Sequence, residues 1–106
     1  MAQQHFQLLI VGGGAAGVSV ANNMRRKNAM ITIGLIEPSE KHYYQPGFTI
    51  IGGGAYTLKQ ATREEKDLIH PSVTWIRDYA DTFTPDKNTV SLKSKAKITY
   101  GYLVVC

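Results

Sequence analysis

The feature that most constrains this chain is a glycine-rich turn between two apolar segments. Residues 6–11 read as a buried strand that leads directly into Gly12-Gly13-Gly14-Ala15-Ala16-Gly17, after which a helical pattern begins. A second apolar segment, residues 31–36, follows the helix and ends on the acid Glu37. Strand, tight turn, helix and second strand in this order predict a βαβ unit with a right-handed crossover.

This arrangement predicts a binding site for a dinucleotide. Gly12 permits the tight turn from strand to helix, Gly14 lets the backbone approach a pyrophosphate, and Gly17 lets the helix lie close to the sheet. The N–H groups and the positive dipole end at the helix start favour a bound phosphate. Glu37 lies about 20 residues beyond Gly17, where a carboxylate can accept hydrogen bonds from ribose hydroxyls. The alternative is a tight turn that binds no ligand.

Composition narrows the class of protein. Hydrophobic residues make up 43% of the 106 residues and charged residues 19%, as in a soluble globular domain. The net charge of +4 is mild, and its two basic clusters read as a helix C-terminus at residues 25–27 and an edge strand with Lys93, Lys95 and Lys97. Because no aromatic platform accompanies either cluster, we expect no nucleic-acid binding.

Several other kinds of site are disfavoured. A single cysteine, Cys106, excludes an intrachain disulfide, and His5, His42 and His70 lack the spacing of metal ligands, so we expect no metal. No segment approaches the roughly 18 apolar residues of a membrane span. Because residues 1–5 lead directly into the first strand, we expect no signal or transit peptide.

The spacing of apolar residues predicts the first helix over residues 15–27. Val18, Ala21 and Met24 would form its apolar stripe, and Asn28 would stop it. Residues 38–47 hold two prolines and a glycine, which predict an irregular loop. That loop follows the carboxyl end of a strand, where open α/β sheets bind ligands.

The second half of the chain has mainly β character. Thr62 and Glu65 fit the capping box of a short helix that ends before Pro71, although an extended connector fits nearly as well. A strand, a β-meander and a final buried strand are then predicted, in order, at residues 73–80, 82–84, 89–92, 97–100 and 102–106, with the hairpin turn at residues 85–88. Because the chain supplies only two or three parallel strands, we expect residues 1–106 to be a partial domain, the N-terminal fragment of a larger doubly wound domain.

This order of elements resembles the N-terminal FAD-binding domain of two-dinucleotide flavoproteins, an α/β fold in which a Rossmann-like βαβ unit is followed by a β-meander. Three stretches are more specifically similar to the sulfide:quinone oxidoreductases. They are Ile36-Glu37-Pro38-Ser39-Glu40-Lys41-His42-Tyr43-Tyr44-Gln45-Pro46, then Val73-Thr74-Trp75-Ile76, and Asn88 in the turn Pro85-Asp86-Lys87-Asn88.

The resemblance implies FAD as the cofactor and assigns contacts to it. Ala15 and Ala16 would meet the pyrophosphate through their N–H groups, and Glu37 would hold the adenosine ribose. Gln45 would contact FAD, and the backbone of Ala80 would contact the adenine. Together with Gly12, Gly14 and Gly17, these residues form the predicted cofactor site.

The resemblance also implies an activity: sulfide is oxidised at a cysteine pair, and electrons pass through FAD to a membrane quinone. We expect that pair beyond this chain, so no catalytic residue is assigned, and Cys106 is expected to be a small buried residue rather than a redox group. The implied location is peripheral, on a bacterial cytoplasmic or mitochondrial inner membrane, with membrane contacts only in the missing C-terminal part. This fragment alone would be inactive.

Two alternatives stay open. One is another two-dinucleotide flavoprotein, such as a type II NADH:quinone dehydrogenase, and the other is a non-catalytic dinucleotide-binding module. Glu37 disfavours NADP in either case, because its charge would repel a 2′-phosphate.

Overall fold

The first strand is the centre of a mixed sheet in the computed structural model, which describes residues 4–43, 54 and 62–106. The strands are β1 Gln4–Val11, β2 Ile33–Ile36, β3 Lys41–Tyr43, β4 Thr62–Glu64, β5 Thr74–Ile76, β6 Ala80–Thr84, β7 Thr89–Leu92 and β8 Lys97–Val105. The helices are α1 Ala15–Lys27 and the single turn α2 Glu65–Leu68, and a 3-10 turn spans Pro85–Lys87.

Six of the described strands form one sheet in the order β5-β2-β1-β8-β7-β6. The first four are mutually parallel, whereas β7 and β6 run antiparallel to their neighbours. This confirms the predicted βαβ unit and β-meander. The carboxyl ends of β5, β2, β1 and β8 therefore meet at one edge, where the glycine turn and Glu37 lie.

The core forms on both faces of this sheet, because its central strands alternate side chains between the two faces. On the face under α1, Leu8 and Ile10 pack with Val18 and Ala21. On the other face, Leu9 packs with residues of the meander that include Val90 and Ile98. All four residues of β2 are buried, as expected for a parallel strand covered on both faces.

Helix α1 has the predicted bounds and buries Val18 and Ala21 as predicted, but it buries Arg25 instead of Met24. Met24 is 37% exposed, whereas Arg25 is only 9% exposed. A repeated spacing of three drifts around a helix of 3.6 residues per turn, so the face that holds Val18 and Ala21 continues at Arg25. The Arg25 guanidinium donates a 3.0 Å hydrogen bond to the carbonyl of Ala29, which satisfies a main-chain acceptor just beyond the helix.

Two predictions about the middle of the chain are wrong. Residues 41–43 are not irregular, because they form β3 and pair antiparallel with β4 in a separate two-stranded sheet. Thr62 is not a helix cap, since it lies in β4, and α2 begins at Glu65 without a side-chain cap. The remainder of the predicted loop, residues 44–47, lies outside the described residues.

The strands of the second half also differ in their limits. The strand predicted at 73–80 is shorter, because only Thr74–Ile76 form β5. The strand predicted at 82–84 is β6, which begins two residues earlier, at Ala80, and the segments predicted at 97–100 and 102–106 form one strand, β8. The hairpin of β6 and β7 is confirmed, and its turn ends on Asn88 in the left-handed conformation, with φ 47°. The last strand is not fully buried: Tyr102 is 77% exposed and Val105 63%, and Cys106 is exposed as well.

Among the described residues, no helix combines the length and the apolar character that crossing a bilayer requires.

Candidate dinucleotide site

Gly12 makes the turn between β1 and α1. Its φ is +106°, in the left-handed region that favours glycine. Its N–H donates a 2.9 Å hydrogen bond to the carbonyl of Ile36, at the end of β2. A Cβ added at this position would lie 2.7 Å from the carbonyl oxygen of Cys106, which follows β8. Conformation and space both require glycine here, as the motif predicts.

Gly17 must be glycine mainly because it contacts the backbone of Gly12, and only secondarily because the helix packs on the sheet. A Cβ at this position would overlap the carbonyl oxygen of Gly12 and would lie 3.5 Å from the Ile10 side chain in the sheet. The first helical turn therefore packs directly on the glycine turn that precedes it. The spacing between Gly12 and Gly17 therefore allows two close contacts, one between Gly17 and the carbonyl of Gly12 and one between Gly17 and Ile10 in β1.

Gly14, in contrast, is not crowded by any of the described residues. It caps α1 with φ −71°, which any residue can adopt, and its carbonyl accepts the N–H of Val18 at 3.0 Å. Among the residues that the structure describes, nothing lies within 4 Å of a Cβ added to Gly14. These residues do not themselves need glycine at this position, and they leave space in front of Gly14 for a ligand.

The start of α1 fits an anionic group in that space. The first N–H groups of a helix, here those of Ala15, Ala16 and Gly17, have no acceptor within the helix. The first turn contains no acidic residue that would occupy this position or repel an anion. A pyrophosphate therefore suits both the space and the donors.

Glu37 lies beside this turn, at the end of β2. One carboxylate oxygen, Oε1, accepts the N–H of Gly13 at 2.8 Å, and the other, Oε2, accepts the N–H of Ser39 at 2.9 Å. The residue is half-buried. Since each carboxylate oxygen can accept more than one hydrogen bond, Glu37 can hold the turn and still receive hydroxyl groups from a ribose.

A second carboxylate, that of Glu65, reaches the same place. Glu65 is 1% exposed, and a Cβ on Gly13 would overlap its Oε2 and would lie 2.7 Å from Glu37 Cβ. The N–H of Glu65 donates to the carbonyl of Glu40 at 2.9 Å, which ties α2 to the loop after β2. The sequence did not predict that the Glu65 carboxylate lies beside the glycine turn, because Glu65 fitted a capping box.

Trp75 contacts the site through its indole, which sequence reasoning also missed. The indole N–H donates a 2.9 Å hydrogen bond to the main-chain carbonyl of Glu37. The neighbouring carbonyl of Ile76 accepts the N–H of Glu37 at 3.0 Å. The pairing of β5 with β2 brings these groups together, and the sequence alone gives no sign of it.

Two further residues, Ala80 and Gln45, are predicted to contact FAD. Ala80 is the first residue of β6 and is half-buried, and residues 77–79 join it to Ile76. Its contact with an adenine stays a prediction. Gln45 lies outside the described residues.

Known proteins are similar to this chain over almost its whole length. Residues 6–106 match the family described as pyridine nucleotide-disulphide oxidoreductase. The mitochondrial sulfide:quinone oxidoreductase of Dictyostelium discoideum is 45% identical over 100 residues, which are 93% of this chain and 22% of the relative. The mouse (Mus musculus) mitochondrial protein of the same name is 36% identical over 104 residues, 98% of this chain and 23% of the relative. The chain thus spans about a quarter of the length of these relatives.

Solved structures show the same fold. The crystal structure of the sulfide:quinone oxidoreductase from Aquifex aeolicus superposes with a TM-score of 0.81 at 26% identity, covering 96% of this chain and 24% of that chain. The NADH:rubredoxin oxidoreductase of Clostridium acetobutylicum superposes with a TM-score of 0.72 at 24% identity, covering 96% of this chain and 27% of that chain. At that lower identity the second likeness is one of fold alone.

Proposed function

Because this chain belongs to the pyridine nucleotide-disulphide oxidoreductase family, we propose that it is the FAD-binding part of a sulfide:quinone oxidoreductase. The observation that carries the proposal is the 45% identity to the Dictyostelium enzyme across 93% of this chain. The glycine turn, the open helix start and Glu37 support it, because they suit the pyrophosphate and ribose of one dinucleotide.

In this proposal the chain binds and orients the adenosine diphosphate half of FAD. The N–H groups of Ala15 and Ala16 hold the pyrophosphate in the space before Gly14, and Glu37 accepts the ribose hydroxyls. Gln45 and the backbone of Ala80 add contacts to FAD and its adenine. The negative charge of Glu37 selects against a dinucleotide with a 2′-phosphate.

FAD, when bound, supplies a carrier for the two electrons removed from sulfide. Sulfide and a quinone are then substrates of the whole protein, and the cysteine pair that reacts with sulfide lies outside this chain. Quinones reside in membranes, so we place the enzyme peripherally at a membrane surface.

The second candidate is a flavoprotein that oxidises NADH. The fold is shared with NADH:rubredoxin oxidoreductase, so the fold alone does not separate the two kinds of enzyme. A non-catalytic dinucleotide module is a third possibility, and it would reduce no acceptor.

The test is a comparison of electron donors with the whole protein that contains this chain. Reduction of a soluble ubiquinone analogue is followed with either sulfide or NADH as the donor, in the presence of FAD. The proposal predicts quinone reduction that depends on sulfide and a slow or absent reaction with NADH. Reduction by NADH alone would assign the second candidate, and flavin binding without either activity would assign the third.

A further inference from the structure

Both main-chain polar groups of Glu37, the N–H and the carbonyl, form hydrogen bonds with residues of β5. Its N–H donates to the carbonyl of Ile76 at 3.0 Å, and this bond continues the pairing of Ile36 with Ile76 in the sheet. Its carbonyl accepts the indole N–H of Trp75 at 2.9 Å. The second bond is not a ladder bond, because a side chain supplies the donor.

The indole bond fixes the peptide group between Glu37 and Pro38, which has fewer hydrogen-bonding groups than most. The next residue is Pro38, which has no N–H, so the carbonyl of Glu37 is the only hydrogen-bonding group of this peptide unit. The orientation of this unit helps to set the direction in which the Glu37 side chain leaves the backbone. The indole is therefore placed to control where the carboxylate points.

Trp75 is itself held in place. Its ring is half-buried and packs against the apolar cluster that includes Ile69 and Val73. The Arg77 guanidinium lies 5.5 Å from the ring centroid and forms an ion pair with Glu40 at 2.6 Å. Ring packing and the ion pair together connect β5 to the loop after β2.

We propose that Trp75 is a positioning residue for ribose recognition, acting through the hydrogen bond from its indole N–H to the Glu37 carbonyl. This inference rests on the proposed function, since it takes Glu37 as the residue that receives the ribose. Tryptophan can only donate at this nitrogen, and phenylalanine keeps an aromatic ring but has no donor. Removal of the N–H should therefore weaken the contact between Glu37 and the ribose.

The test measures dissociation constants of the whole apoprotein for FAD and for the FAD analogue with a 2′,3′-dideoxyadenosine. In the wild type, FAD should bind more tightly than the analogue, because the analogue lacks the two ribose hydroxyls that would donate hydrogen bonds to Glu37. Trp75→Phe should weaken FAD binding about three- to tenfold, the effect of one net hydrogen bond, and should leave analogue binding within about twofold. The preference for FAD should therefore shrink.

The matched control is Tyr79→Phe, which removes a hydroxyl donor from an exposed aromatic residue on the segment that follows β5. It should leave both affinities unchanged. If Trp75→Phe does not fold, replacement of Trp75 by benzothienylalanine keeps the bicyclic shape without the N–H and gives the same comparison.

Equal weakening for both ligands would overturn the inference, because it would show that Trp75 only supports the fold. Unchanged affinities would also overturn it. Glu37→Ala separates these failures from failure of the proposed function. If Glu37→Ala leaves the preference for FAD intact, the ribose role itself is wrong; if it removes the preference while the loss of the indole N–H does not, only the role of Trp75 is wrong.

Discussion

At the scale of residues, the glycines of one motif have different purposes. Gly12 and Gly17 are required by the folded chain, because one adopts a positive φ and a side chain at the other would overlap a carbonyl oxygen. Gly14 has ordinary dihedral angles, and the described residues leave open space in front of it. The described part of the fold therefore does not require glycine here, whereas the proposed pyrophosphate would, and this separates binding from folding in a way that the motif alone does not.

Glu37 gives the prediction at this scale. Glu37→Ala should weaken FAD binding by about 1.5–3 kcal/mol, the range for hydrogen bonds to a charged group, or roughly 10- to 150-fold in the dissociation constant. Glu37→Gln should lose less, because the amide keeps an acceptor oxygen. Titration of the apoprotein with FAD, followed by flavin fluorescence, measures both effects.

Glu40→Gln is the control for Glu37. It removes a carboxylate from the same loop, where the Glu40 side chain is 65% exposed and pairs with Arg77 rather than with the glycine turn. Its FAD affinity should fall much less than that of Glu37→Ala, because the exposed Glu40 carboxylate affects the site only through its ion pair with Arg77. If Glu40→Gln and Glu37→Ala weakened binding equally, a general charge effect would replace the specific ribose contact.

At the scale of elements, the sequence predicted those helices and turns whose formation depends on residues close together in the chain. The glycine turn and helical spacing gave α1 its bounds, and the Pro-Asp-Lys-Asn turn gave the hairpin of β6 and β7. Pairings between distant segments were not predictable from such signals. Residues 41–43 form a strand because they meet Thr62–Glu64, and Trp75 reaches Glu37 because β5 pairs with β2.

The connection between β5 and β6 gives a prediction for pH dependence. The pKa of Asp78 is below its ordinary value of 3.8, chiefly because the Ser94 hydroxyl and the Tyr79 N–H donate hydrogen bonds to its carboxylate, with help from the charge of Lys93. The N–H of Tyr79 lies 2.7 Å from Asp78 Oδ1. The N–H of Lys93 donates to the carbonyl of Tyr79 at 2.9 Å, so this connection is bonded to the turn between β7 and β8, which the sequence did not reveal.

Because the pKa of Asp78 is lower in the folded state, its ionised form stabilises the fold above the ordinary pKa, and that contribution is lost as the pH falls through the folded pKa. Asp78→Asn should therefore lower the denaturation midpoint near neutral pH, and its difference from the wild type should vanish well below pH 3.8. Urea denaturation across this range provides the measurement. A difference between Asp78→Asn and the wild type that stays constant across this range would refute the linkage.

At the scale of the whole molecule, one edge of the sheet gathers the parts of the site. The glycine turn at the end of β1 bonds to the end of β2 and lies against the residue that follows β8, and β5 holds Glu37 from the other side. The motif and the acid at the strand end predicted this location. The contributions of Glu65 and Trp75 required the assembled sheet, because each comes from a segment far along the chain.

The central claim is that this edge binds FAD, and the most direct measurement is the flavin content of the purified whole protein and of its Gly14→Val variant. We predict about one FAD for each wild-type chain. Gly14→Val should contain almost none, because the side chain fills the space for the pyrophosphate, while its thermal midpoint should stay within a few degrees of that of the wild-type apoprotein, a small loss due to the poorer helix cap. A wild-type protein that binds no FAD, or a folded Gly14→Val variant that keeps its full flavin content, would contradict the account.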